Sequence, residues 1–125
     1  MPESEIHDVI QKAYIEGIHN EQDPEKVWGG FHPEFRIFMR RQGDEVARAG
    51  AEAMLQGVIR QREANPASGA VPVVGTVKVL DIDGTTAVVR VDLSRDGVVG
   101  CTDYLSLHRF DDGWKIVSKV YQPHM

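Results

Sequence analysis

Three short turns in the second half of the chain restrict how it can fold. Asp83-Gly84, Arg95-Asp96-Gly97 and Asp111-Asp112-Gly113 each set an acidic residue before glycine, the combination that supplies positive φ in tight hairpins. Around them lie four runs rich in β-branched and aromatic residues, at 73–82, 86–93, 98–110 and 114–121. Strands joined this closely must be antiparallel neighbours. The run 98–110 is long for a flat strand, so strong twist and a bulge are expected in it.

A meander with one apolar face needs a cover, and the first half of the chain supplies it. Ile6, Val9, Ile10, Ala13, Tyr14, Gly17 and Ile18 recur at three- and four-residue steps, which predicts an amphipathic helix over 4–19 with Ser4 as N-cap. Asp23-Pro24 opens a short second helix carrying Val27, Trp28 and Phe31. A strand at 35–41 turns at Gln42-Gly43-Asp44 into a short return at 46–48. A third helix over 51–64, striped by Met54, Leu55, Val58 and Ile59, stops at Asn65-Pro66. This is one α+β domain spanning residues 1–125, in which a curled antiparallel sheet covered by three helices forms a cone. The inside of such a cone is a natural small-molecule cavity.

Charge narrows the partners. Nineteen acidic against fourteen basic side chains give a net charge of -5, which argues against nucleic acid. No run reaches the roughly 20 apolar residues of a membrane span, and the start lacks a signal-peptide pattern, so a cytoplasmic location is expected. Cys101 is the only cysteine and reads as a small core residue. The five histidines show no paired ligand spacing, and no glycine-rich loop follows a strand. Neither a metal nor a cofactor is therefore expected.

Asp103 is the most informative single residue. It shares strand parity with Val99, Cys101, Leu105 and Leu107, which places a carboxylate in an apolar row. Such a group must be paired or have a raised pKa. It reads either as a general acid, base or oxyanion donor or as a structural carboxylate. His32, between Phe31 and Pro33, is a proton carrier or a residue that bonds the backbone at a corner. A His32–Asp103 pair would hold the imidazole in one tautomer. Tyr14 points inward from the first helix and needs a hydrogen-bond partner. Trp28, Phe31, Phe38 and Tyr104 are candidate pocket walls, and Trp114 is expected to seal the outside of the sheet. Lys119 and Tyr121 share parity with Val117. Lys119 either neutralises Asp103, holds an anionic ligand or faces solvent, and Arg36 and Arg90 pose the same question more weakly.

Three stretches carry a resemblance. They are Tyr-Ile-Glu-Gly at 14–17 leading to Asn20 and Asp23, Phe-His-Pro at 31–33, and Thr-Asp-Tyr-Leu-Ser-Leu at 102–107 followed by Gly-Trp-Lys-Ile-Val-Ser-Lys-Val-Tyr at 113–121. With the order of elements, they resemble the nuclear transport factor 2-like superfamily, of cystatin-like architecture, and within it the "putative lumazine-binding" branch. The resemblance implies a pocket between helices and sheet. The ketosteroid isomerases of this superfamily use a first-helix tyrosine, a sheet aspartic acid and a carboxylate base after the first strand. Tyr14 falls near the tyrosine position and Ser106 nearer than Asp103 to the aspartic acid position. The base position falls in Phe38-Met39, which cannot accept a proton, so that activity is not carried over.

Three functions stay open. The first is a binding domain for a small organic ligand, held by Tyr14, Trp28, Phe31, Phe38, Tyr104, Lys119 and Tyr121. The second is a cofactor-free isomerase, cyclase or dehydratase using His32 or Asp103. The third is a structural dimerisation module, with homodimers forming through the outer sheet face as the superfamily often does.

Overall fold

The computed structural model describes residues 1–124. Pro2 opens the first helix at the position where a missing N–H costs nothing, giving α1 (Pro2–Val9). Ser4 therefore lies inside the first turn rather than capping it, and its hydroxyl donates to the Met1 carbonyl at 2.9 Å. The helix then widens into a π-wound segment, Ile10–Asn20, which closes with the Glu21 N–H on the Glu16 carbonyl at 2.7 Å. The sequence pattern predicts an ordinary helix throughout. The wider winding brings Ile15 into the core beside Ala13 and Tyr14, a residue the 3.6 period leaves outside.

Asp23 caps α2 (Pro24–Gly30) by accepting the Glu25 N–H at 3.0 Å. The chain passes directly into β1 (Phe31–Arg40), four residues earlier than the sequence suggests. Its pairing with the last strand breaks between Phe31 and Arg36, around Pro33, which has no N–H to give. β2 (Val46–Ala49), α3 (Ala51–Ala64) and a 3₁₀ turn (Pro66–Gly69) follow. The meander is β3 (Val74–Asp83), β4 (Thr86–Arg95), β5 (Val98–Phe110) and β6 (Gly113–Pro123). Gly84, Gly97 and Gly113 have positive φ, as the three turns require.

The six strands lie in the order β2-β1-β6-β5-β4-β3, antiparallel except where β1 runs parallel to β6. The sheet curls without closing. Two irregularities set its inner face. Leu93 pairs with Cys101 and Ser94 with Val99, so Gly100 is an extra residue on β5. On the far side of it both Val98 and Val99 are exposed, so the inward odd-numbered row that holds Asp103 stops at Cys101. Ser106 pairs with Ser118 and Leu107 with Ile116, so Val117 is extra on β6. That shift turns both Ile116 and Lys119 inward.

The helices pack into the curl. Ile6, Ile10, Ile15 and Ile18 meet Val89 and Val91 of β4, Leu105 and Leu107 of β5, and Phe31 and Phe35 of β1 in one apolar cluster. Each such aliphatic burial contributes about 1.5–3 kcal/mol. Gly75 on β3 makes the approach possible, since a Cβ there would overlap the Ile15 side chain. Trp114 also lies in this core, which corrects the expectation that it seals the outside: it shares the inward face with Ile116.

Candidate functional site

The first helix and the two last strands bring three polar side chains together inside the curl. Tyr14 enters from the π-wound segment, Asp103 from β5 and Lys119 from β6, and Tyr14 and Asp103 are fully buried. The Tyr14 hydroxyl donates to Asp103 Oδ2 at 2.6 Å and accepts from Lys119 Nζ at 2.6 Å. Lys119 Nζ also lies 3.8 Å from Asp103 Oδ1, and the Cys101 thiol donates to that same oxygen at 3.3 Å. One anion, one cation and one phenol thus complete each other's bonding.

The electrostatics follow from this enclosure. Burial, and then the Asp103 carboxylate, push the Tyr14 phenol well above its ordinary range. Burial pulls the Lys119 ammonium down, against the opposing pull of Asp103. Burial, and next Asp103, push the Cys101 thiol up to about 12, so it stays protonated and donates. Lys119 Nζ also sits 4.8 Å from the Tyr14 ring centroid and 4.9 Å from that of Tyr121, whose own ring is partly exposed.

The other candidates fall elsewhere. His32 does not meet Asp103. Its Nδ1 accepts the Glu34 N–H at 3.0 Å and its ring stacks on Phe110 at 4.7 Å, the backbone-bonding role at a corner. Phe31 is buried, in edge contact with Tyr14 at 6.2 Å and with Phe35 at 4.8 Å. Trp28, Phe38 and Tyr104 are exposed and do not wall the interior. Phe38 and Tyr104 have the strand parity opposite to Ile37 and Asp103, and Trp28 lies at the α2 edge beside His32. Arg36 donates to the Phe35 carbonyl, and Arg90 pairs with Asp92 at 3.3 Å.

The cavity lies at the open end of the curl, one step beyond the buried cluster. An open cavity of about 350 Å³ is bordered by His19 of the first helix, Gln61 of α3, Val73, the end of β4 from Leu93 to Arg95, and Val98, Gly100 and Cys101 of β5. Cys101 and His19 separate it from the cluster. Cys101 bonds Asp103, and the His19 ring meets the Tyr14 ring edge-on at 4.9 Å. His19 Nε2 and Arg95 Nε are buried without a hydrogen-bond partner among the described residues. Trp114 Nε1 is the third such atom, and Trp114 does not line this cavity. Burial first, then Lys119, Arg62 and Arg95, pull the His19 imidazole down to about 3, so the ring is neutral near pH 7. Among the described residues no three His, Cys, Asp or Glu side chains gather closely enough to hold a metal ion.

Sequence reasoning missed His19, Gln61, Arg95 and Val98. His19 reads as the last turn of a helix and Arg95 as the first residue of a hairpin turn. The one available signal was the glycine in Val98-Val99-Gly100-Cys101, a place for a bulge that interrupts the alternation.

The curled, unclosed sheet with helices across its concave side is the fold of the nuclear transport factor 2-like, or cystatin-like, proteins. A nuclear transport factor 2-like protein of unknown function from Shewanella baltica superposes with a TM-score of 0.72 at 21% identity, covering 98% of this chain and 94% of its own. One from Methylobacillus flagellatus gives 0.61 at 24%, covering 98% and 91%. An uncharacterised protein with a cystatin-like fold from Caulobacter vibrioides gives 0.71 at 15%, covering 99% and 90%. The family described as "Putative lumazine-binding" matches residues 2–122, and the chain belongs to it. No curated protein matches. No helix is long and apolar enough to cross a membrane.

Proposed function

We propose that this chain is a small-molecule-binding domain whose ligand occupies the cavity of about 350 Å³ between the first helix, α3 and the β4–β5 edge. The observation that carries the reading is that this cavity is lined by two residues, His19 and Arg95, each with a buried polar atom unpartnered among the described residues. The volume sits at the lower end of the roughly 300–1,000 Å³ of ligand pockets. Val73, Leu93 and Val98 supply apolar wall, while Gln61, Ser94 and Arg95 supply polar handles. The description of the family points the same way, toward a compact heteroaromatic compound.

Binding is favoured over acid–base chemistry by Asp103. A catalytic carboxylate must come within hydrogen-bond reach of its substrate. Asp103 is fully buried behind Cys101, with both oxygens engaged. Thermal shift and titration calorimetry with lumazine and a panel of small aromatic compounds test the reading. Stabilisation is expected, and Val98→Trp, which fills the cavity mouth, should abolish it. A panel without any stabilising compound, or one that binds the Val98→Trp variant equally well, would refute it.

The outer face supports association of two copies as a second reading. Tyr104 pairs with Val120, and Phe38 follows Ile37, which pairs with Lys119, so three exposed apolar side chains form a row. Arg90 and Arg48 bound it at either end. Sedimentation should give a dimer that Val120→Glu converts to monomer. A monomeric wild type would overturn this.

A further inference from the structure

The proposed cavity carries an electrostatic signature of its own. The chain is acidic overall, yet no Asp or Glu lines this cavity among the described residues. Three cations surround His19 instead: Lys119, Arg62 and Arg95. Lys119 is answered by Asp103 at 3.8 Å. Arg62 spends its donors on neutral acceptors, with Nη2 on the His19 carbonyl at 2.9 Å and Nη1 on Gln61 Oε1 at 3.3 Å and Ser68 Oγ at 3.4 Å. Among the described residues no carboxylate lies within ion-pair distance of Arg62 or Arg95. The cavity wall therefore holds more positive than negative charge.

Its two incomplete polar atoms agree with that sign. Arg95 Nε always carries a proton and can only donate. The neutral His19 ring donates from Nε2 in one of its tautomers. A buried donor without an acceptor is costly, and a carboxylate is the acceptor that a guanidinium fits best. Besides the uncharged Gln61 and Ser94, the wall has an apolar part at Val73, Leu93 and Val98, so the body behind that carboxylate should be a hydrocarbon or aromatic ring.

We propose that the ligand is a small organic acid whose carboxylate is held by Arg95 and His19 while its apolar body lies against Val73, Leu93 and Val98. This rests on the cavity being the ligand site. Arg62 does not touch the acid; it fixes the helix end that carries His19. Lys119 contributes only through space, because its bonds are already made to Tyr14 and Asp103.

The test is calorimetric titration of the intact protein with matched pairs, each monocarboxylate beside its amide: acetate and acetamide, benzoate and benzamide, cinnamate and cinnamamide. The acid of at least one aromatic pair should bind about tenfold or more tightly than its amide, and Arg95→Gln should remove that preference. Arg95 stands at the end of β4 beside an exposed turn, so the variant should fold. An unchanged thermal midpoint without ligand verifies that. His19→Gln, a second variant, should lower affinity for the acids more than for the amides.

Acid and amide binding equally, with both blocked by Val98→Trp, would overturn the carboxylate assignment and leave the cavity reading intact. No binding by any member of the panel would overturn both. Tighter binding of phenyl phosphate than of benzoate would replace the carboxylate with a phosphoryl group and so defeat the assignment. Acid preference that survives Arg95→Gln would also defeat it.

Discussion

Two polar clusters share the first helix, and they are built in opposite ways. At the centre, Tyr14, Asp103 and Lys119 satisfy one another and are closed to solvent. At the open end, His19 and Arg95 face a cavity with polar atoms left unmatched. The first arrangement has nothing left to offer a ligand. The second has donors, space and an excess of positive charge. A fully buried carboxylate draws attention first, yet an unmet hydrogen bond beside a cavity is the better pointer to a ligand.

That contrast can be broken from the inside. Asp103→Leu strands the Lys119 ammonium and the Tyr14 hydroxyl in the core, and should cost about 3–5 kcal/mol in urea unfolding. Adding Lys119→Met should recover much of the loss, because the orphaned charge is gone. A double variant no more stable than Asp103→Leu would mean the cluster does not act as a closed unit.

Gly75→Ala tests how the two clusters depend on one helix. The added methyl meets Ile15, next to Tyr14, and should destabilise by about 1–3 kcal/mol through overpacking. Ile15→Val in the same chain should relieve it. Because His19 rides on the same segment, ligand affinity should fall with Gly75→Ala and return with the second change. Affinity that stays constant would separate the clusters mechanically.

The last effect is a pH slope, small per pH unit. His19 titrates at about 3 in the folded chain against 6.5 ordinarily, because it is buried among cations. Between those values the unfolded chain binds a proton that the folded chain does not, so stability rises with pH across this window and is lost as pH falls through it. The contribution is at most about 1.4 kcal/mol per pH unit. Urea unfolding of His19→Gln should show a shallower acid loss than the wild type. Equal slopes would mean that His19 binds its proton equally well in the folded and unfolded chain. A bound organic acid should raise the His19 value by bringing an anion beside it.

Much of the architecture was legible because local chemistry and global fold agree. Asp83-Gly84 and its two companions favour tight antiparallel connections, and the Asp23-Pro24 pair suits a helix start. Parity on β5 placed Asp103 inside, and the residue needing a partner on the helix, Tyr14, proved to be that partner. Parity failed at Val99 and in the grouping of Lys119 with Val117, both next to extra residues that reset the alternation. The aromatic walls at Trp28, Phe38 and Tyr104 failed differently: apolar character alone does not say which face of a strand or helix looks inward.

From the residues alone follow the α+β class, the meander, the burial of Asp103 and the net acidic charge. These depend on neighbours in sequence: turn geometry, alternation and charge count. The partner of Lys119, the closure of the central cluster and the cavity at His19 and Arg95 arise only when the sheet curls. They join residues from the first helix, β4, β5 and β6, and single-residue bulges at Gly100 and Val117 decide which side chains face them. A bulge changes every orientation beyond it while leaving composition and pattern almost untouched, which is why the site could be seen only once the chain was folded.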